Sequence, residues 1–252
     1  MGTAEQALLD AFEVHSVDEV HDALDRGLDI QGVIRGRTVV NWLIAMYTRS
    51  DQFADCLRVL LERGATMYDP RVAPVLLNDP DALNQALDHD PSLLQYRTNL
   101  ESAFTPLTGA TLLHVAAEFG HVAVAQVLLE RGAEVDARAA VDAFGMNGHT
   151  PLFHTVNAHA NRPAPVMELL LEAGARPDIR LEGITWGQGF EWETTCFDVT
   201  PISYAQLGLL PQMHRLESNT YDNVRRLLEA SGRRVPPLDN VPNQYLKPSG
   251  ES

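Results

Sequence analysis

The chain has 252 residues, 45% hydrophobic and 21% charged. That is enough to bury a full core in water, as one long domain or two small ones. Thirty-four acids against 19 Lys and Arg leave a net charge of −15, spread along the chain with no basic stripe. Nucleic acid and anionic membrane surfaces are therefore excluded as expected partners, because both would be repelled.

The basic residues are almost all arginine, with Lys247 the one lysine, a bias that suggests a GC-rich bacterial source. No apolar run approaches the roughly 18 residues of a membrane span. The start, "MGTAEQALLDAFEV", lacks the basic region and long apolar core of a signal peptide. Cys56 and Cys196 lie far apart without metal-knuckle spacing. A reducing cytoplasm is the expected location.

Taken in chain order, the sequence predicts helix pairs. Residues 4–30, "AEQALLDAFEVHSVDEVHDALDRGLDI", read as a first pair with a polar outer face. That suits the end of a stack, whose outer side has no neighbour to bury it. Residues 38–66, "TVVNWLIAMYTRSDQFADCLRVLLERGAT", form a second pair ending in "LLERGA"; Trp42 and Cys56 fall at core positions. Residues 71–95 are a worn third pair. The clearest unit is 109–137, "GATLLHVAAEFGHVAVAQVLLERGAEVDA": helix, turn at Gly120, helix, stop at Gly132. Leu112, Val115, Ala116 and Phe119 share one helical face, as do Val124, Val127 and Leu128. Arg131 before Gly132 suits both the helix dipole and a glycine C-cap.

A connection, "RAAVDAFGMN" (138–147), leads into 148–178. There Thr150-Pro151 opens a helix, with Thr as cap and Pro in the first turn, and Gly174 closes the pair. A sixth, stretched pair covers 200–232. Residues 236–252 form a proline-rich polar tail that Tyr245 and Leu246 would anchor.

Between the fifth and sixth pairs stands "GITWGQGFEWETTCFD" (183–198). Two of the three tryptophans fall in it. Glycines flanked by aromatic and β-branched residues predict a hairpin around Gly187-Gln188-Gly189. Glu191 and Glu193 would flank Trp192 on one strand face.

The "TLLH", "TPL" and "LLERGA" signatures, with their helix–turn–helix repeat, resemble ankyrin repeats. The resemblance covers about six units and is strongest at 109–137. It implies an all-α, ankyrin-type solenoid, one domain over 1–235, with a concave binding face built from hairpin loops and first helices. It also implies that His114 braces neighbouring backbone, and His121 similarly. Phe153 stands where the fifth unit should carry that histidine. Spacing departs from the family, since 39 residues separate Thr111 from Thr150 and 50 separate Thr150 from Thr200. The connections have grown, and 138–149, 180–198 and 209–219 should gather into one enlarged cleft.

For chemistry the chain offers little. No phosphate loop, dinucleotide fingerprint, nucleophile elbow or metalloprotease helix is present. His149, His154 and His159 are five apart, so a helix would not place them on one face. His149 remains a conceivable metal ligand with Glu191, Asp198 or Cys196. His154 or His214 remains a conceivable base beside Glu191 and Glu193. The main expectation is a non-enzymatic module that binds a protein or peptide, with the acidic residues favouring a basic one. Its contact residues would be Phe144, Trp186, Phe190, Glu191, Trp192, Glu193 and Tyr204. No catalytic residue, metal or cofactor is assigned. The alternative is an enzyme, or a small-ligand or metal-binding protein, sited in the loop-built cleft.

Overall fold

The computed structural model describes residues 3–210, 213 and 215–235. The proline-rich tail with Tyr245 and Leu246, and also His214, lie outside the described residues.

Among the described residues, six helix pairs follow one another. The first is α1 (Ala4–Val14) with α2 (Val17–Asp25), the second α3 (Val39–Ala45) with α4 (Phe53–Glu62). The third is the short α5 (Ala73–Leu76) with α6 (Pro80–His89), and the fourth is α7 (Leu112–Phe119) with α8 (Val122–Glu130). In the fifth, a 3-10 turn (Pro151–His154) precedes α9 (Ala164–Glu172); the sixth is α10 (Pro201–Gln206) with α11 (Glu217–Ala230).

Local chemistry starts and stops these helices. Thr3, Ser16, Thr38, Asp79, Thr111 and Thr200 each cap an N-terminus by accepting a backbone N–H. The "LLERGA" and "LLEAGA" stops repeat one geometry. Gly64, Gly132 and Gly174 sit at φ 94, 90 and 90°. In each, the next alanine N–H donates back into the helix: Ala65 to Leu60, Ala133 to Leu128 and Ala175 to Leu170, all 2.9 Å. The arginine before two of these glycines ties its unit to an earlier one. Arg63 meets Asp25 and Arg131 meets Asp88, both at 2.7 Å.

First helices stack on first helices, α1 on α3, α5 on α7, and α7 on the 3-10 turn, which also packs on α10. Second helices stack likewise, α2 on α4, α6 on α8 and α8 on α9. A continuous apolar core runs from Leu8 to Leu227. Cys56 is fully buried in it, and burial pushes its thiol up to about 11. Trp42 is only partly buried; its indole N–H donates to the Ile34 carbonyl (2.6 Å), and the Arg37 guanidinium lies 4.8 Å over its ring.

The fold is mainly helical, with strands at the connections, so the all-α expectation holds only in part. Among the described residues, three antiparallel hairpins project between units: β1 (Val33–Ile34) with β2 (Arg37–Thr38), β3 (Thr98–Leu100) with β4 (Leu107–Ala110), and β5 (Leu181–Trp186) with β6 (Thr194–Val199). The connection 138–149 adds a single bridge, Val141 to Asn147.

The fifth unit departs from expectation. Thr150 occupies the cap position, but its hydroxyl is buried and makes no cap bond. Only a 3-10 turn follows, in which the Thr155 N–H (3.1 Å) and hydroxyl (2.8 Å) both donate to the Leu152 carbonyl. Ala160 and Asn161 then adopt positive φ, which ends any helical run before α9.

Candidate functional site

The insert is a hairpin, but its turn is longer than the glycines suggest. Strand pairing ends at Trp186 opposite Thr194. Residues 187–193 therefore form the turn, and Glu191, Trp192 and Glu193 share no strand face. Two tight turns fold this segment, with Phe190 N–H donating to the Gly187 carbonyl and Glu193 N–H to that of Phe190, both 3.0 Å. The Glu193 carboxylate accepts from Gly189 N–H at 2.7 Å. Phe190 stacks on Trp192 with ring centroids 4.8 Å apart.

The turn is pinned to the preceding hairpin. Gly187 N–H donates to the Phe104 carbonyl (2.8 Å), and the Trp192 indole N–H to that of Ala103 (3.0 Å). Trp186 stacks on Phe104 at 5.8 Å. Arg37, from the first hairpin, lies 5.9 Å from the Phe190 ring. Three projecting hairpins are thus tied together by aromatic and backbone contacts. On the other side, Asn147 N–H donates to the Gly183 carbonyl (2.8 Å), and Thr185 N–H donates to the Asn147 side chain (3.1 Å). A side chain at Gly183 would meet Met146 and the Cys196 carbonyl, at 2.0 and 2.6 Å, so glycine is what lets the 138–149 connection close onto the hairpin.

Between the hairpin ends and the turns after the first helices opens a cleft of about 810 Å³. Phe104, Trp186 and Glu191–Thr194 wall it on the hairpin side. Tyr47–Arg49, His159, Leu207, Leu210, Met213 and Arg215 wall it on the helix side. The lining is mostly apolar, with a few polar groups, and the volume lies in the range that holds a ligand or several side chains.

Beneath the cleft lies a buried polar cluster. Glu118, on α7, accepts from His154 Nδ1–H at 2.8 Å, and from Arg49 and the Ser102 hydroxyl at 3.4 Å each. Arg49 packs 4.5 Å from the Phe119 ring centroid. His114 completes a capping box, its Nδ1 accepting from Thr111 N–H (3.1 Å), so Nε2 carries the proton and donates to the His149 carbonyl (3.1 Å). His149 in turn donates to the Pro106 carbonyl (2.8 Å). The bracing role implied for His114 is thus present. His121 does the same one unit back, donating to the Val75 carbonyl (2.8 Å). Burial holds the His114 and His149 imidazoles well below the usual histidine range, and His15 down to about 4. Burial also lowers the Arg49 and Arg215 guanidinium groups, which stay charged.

Of the contact residues predicted, Trp186, Glu191, Trp192 and Glu193 line this cleft. Phe190 is the stacking partner behind Trp192. Phe144 is 88% exposed at the tip of the 138–149 connection, away from the cleft lining. Tyr204 is a correction. It is 0% exposed, wedged in the core against Phe153, with its hydroxyl bonded to that of Thr105 (2.9 Å). It lies on the buried side of α10, so it supports the site rather than lining it. His149 and His154 are also turned inward, the latter onto Glu118, so neither meets the hairpin acids. Among the described residues, no group of three or more His, Cys, Asp or Glu is placed to hold a metal ion. No helix among them is long and apolar enough to cross a membrane.

Tyr47, Arg49 and Phe104 have no signal in the sequence, and His159 stands out there only as a member of the histidine run, not as a cleft residue. Each sits in a short turn, where sequence periodicity carries no information about direction. Arg49 in particular reads as an ordinary surface arginine between two helices.

The architecture is that of stacked helix pairs with projecting hairpins, the β5–β6 hairpin the longest of them. A family profile of ankyrin repeats (three copies) matches residues 34–181, more than half of the chain. The protein belongs to the ankyrin-repeat family. It is 37% identical over 165 residues to the ADP-ribosylation factor GTPase-activating protein AGD2 of Arabidopsis thaliana, covering 62% of this chain and 20% of that protein. It is 32% identical over 105 residues to AGD4 of the same plant, covering 41% and 12%. The match thus spans a fifth or less of these relatives' length.

Proposed function

We propose that residues 1–235 act as one ankyrin-repeat domain that binds a protein by taking an apolar peptide segment into the cleft. The observation that carries this reading is the wall itself. Trp186, Trp192, Phe104 and Leu210 face one opening of about 810 Å³, and buried aromatic pockets are where binding energy concentrates. The wall is also braced before any partner arrives, by the Trp192–Ala103 and Gly187–Phe104 hydrogen bonds, which reduces the ordering cost of binding. Glu191 and Glu193 at the lip favour a basic residue flanking the segment. A reducing compartment such as the cytoplasm suits the unpaired Cys56 and Cys196. The GTPase-activating activity named for the relatives belongs to proteins that this chain matches over a small part of their length, and it is not carried over.

The test is selection of a random displayed peptide library on the folded protein. Recovered peptides are then measured by fluorescence polarisation against wild type and Trp186→Ala, with circular dichroism confirming that both are folded. The expected result is an apolar consensus whose binding weakens at least roughly tenfold in the variant. No enrichment, or affinity indifferent to Trp186, would sink the reading.

A further inference from the structure

The cleft contains two arginines in different electrostatic situations. Arg49 is neutralised by Glu118, with which it shares a buried ion pair (3.4 Å). Arg215, on the connection leading into α11, has no carboxylate within ion-pair distance among the described residues. Its guanidinium donates to two backbone carbonyls, Met213 (2.6 Å) and Asn157 (3.3 Å). Its Nε is buried with no partner. Next to it, both polar atoms of the Asn157 amide are likewise buried and unpartnered. A half-buried cation whose donors are not all used, beside an idle amide, is costly to leave as it stands. The chain carries −15 overall, yet the acid that acts on this position, Glu118, does so from beyond ion-pair distance and is already shared with Arg49 and His154.

The remaining charges of the cleft lie elsewhere. Glu191 and Glu193 are on the hairpin, Glu193 already engaged by Gly189 N–H. His159 stands on the turn before α9. The opening is therefore polarised, with an acidic lip on the hairpin, an aromatic centre, and a cationic end on the helix connection.

We infer that the Arg215 end of the cleft receives a carboxylate of the bound segment, an Asp or Glu side chain flanked by the large apolar side chains that fill the Trp186–Phe104–Leu210 wall. This rests on the peptide-binding reading and specifies its sign. The guanidinium matches a carboxylate in shape and charge, and Arg215 lines the cleft while Asn157 braces it from behind through its backbone carbonyl. The low-dielectric wall strengthens the pair relative to one at the open surface. A purely basic peptide would meet the hairpin acids favourably but place repulsive charge at Arg215, so the sequence of the segment is read with direction.

The experiment compares pools of displayed random peptides selected on wild type and on Arg215→Met. The wild-type consensus should hold an acidic residue at one fixed place among large apolar ones. The Arg215→Met pool should keep the apolar pattern and lose the acid. Replacing that Glu by Gln in a synthetic wild-type consensus peptide leaves the protein untouched. It should weaken binding to wild type roughly tenfold or more and leave binding to Arg215→Met unchanged. An apolar consensus with no fixed acid overturns the inference while leaving the peptide-binding reading intact. So does a Glu-to-Gln loss of equal size on both proteins, which would put the carboxylate on Arg49 or His159. Absence of any enriched peptide overturns both.

Discussion

Glu118→Gln is the sharpest test of how the cleft is held up. Glu118 is a carboxylate with its side chain 4% exposed, and it faces Arg49, 8% exposed, and His154 Nδ1–H. The substitution keeps the volume and one acceptor but removes the charge that offsets Arg49. Breaking a buried pair from one side typically costs about 3–5 kcal/mol, because the remaining charge is left without compensation. The 3.4 Å Arg49 contact is long and Gln retains some hydrogen bonding, so the lower end, about 3 kcal/mol, is expected. For a chain of this size that corresponds to a fall in Tm of roughly 6–12 °C. Urea unfolding followed by far-UV circular dichroism measures it, with an unchanged m-value as the check that one transition is compared with another. The same change made on top of Arg49→Met should cost less, by at least about 1 kcal/mol, since the cation in ion-pair contact with Glu118 is then gone and only the more distant Arg215 remains. Equal costs in both backgrounds would refute the argument, showing that Glu118 acts through packing or His154 alone.

Three further outcomes follow from the same geometry. Gly187→Ala should destabilise the hairpin and shift Trp emission to longer wavelength, because a Cβ at φ 66° would sit 2.5 Å from the Trp192 ring. The control Gly189→Ala, with nothing within 4 Å, should cost only the left-handed backbone penalty of about 1–2 kcal/mol and leave the emission unmoved. Stability should fall on acidification from pH 7 to 5. His15, His114 and His149 have folded pKa values depressed below 6.5, so the unfolded chain binds more protons. Each histidine still neutral in the native state at pH 5 accounts for about 2 kcal/mol of loss. The loss attributable to His15 continues to about pH 4, where the folded form also takes up its proton. Urea midpoints that stay flat between pH 7 and 5 would contradict this. Trp186→Ala should remain folded, since the indole makes no hydrogen bond among the described contacts, and should lose peptide binding as measured by polarisation.

The helix pairs were legible in the sequence because their signals are local. A capping hydroxyl at Thr38, Thr111 or Thr200 and the glycine after each "LLER" or "LLEA" act within a few residues of themselves, so spacing alone predicts them. The growth of the connections was legible for the same reason, as excess length between recognisable starts. The fifth unit departs from its signal: Thr150-Pro151 reads as a helix opening, yet only a 3-10 turn forms and the chain passes through positive φ at Ala160 and Asn161 before α9. Direction was the larger gap. Tyr204 and Trp186 are both large aromatics near the insert, and only packing decides that one is sealed against Phe153 and the other stacks on Phe104 at the cleft wall. The Glu118–Arg49–His154 cluster joins residues as far apart as 49 and 154, and nothing in their spacing announces it. The cationic end at Arg215 is of the same kind, since an arginine's meaning depends on which acids reach it. Repeat identity is written in periodicity along the chain. The cleft exists only because stacking brings hairpin ends, inner turns and the last connection to one place, and contacts of that range have no period to read.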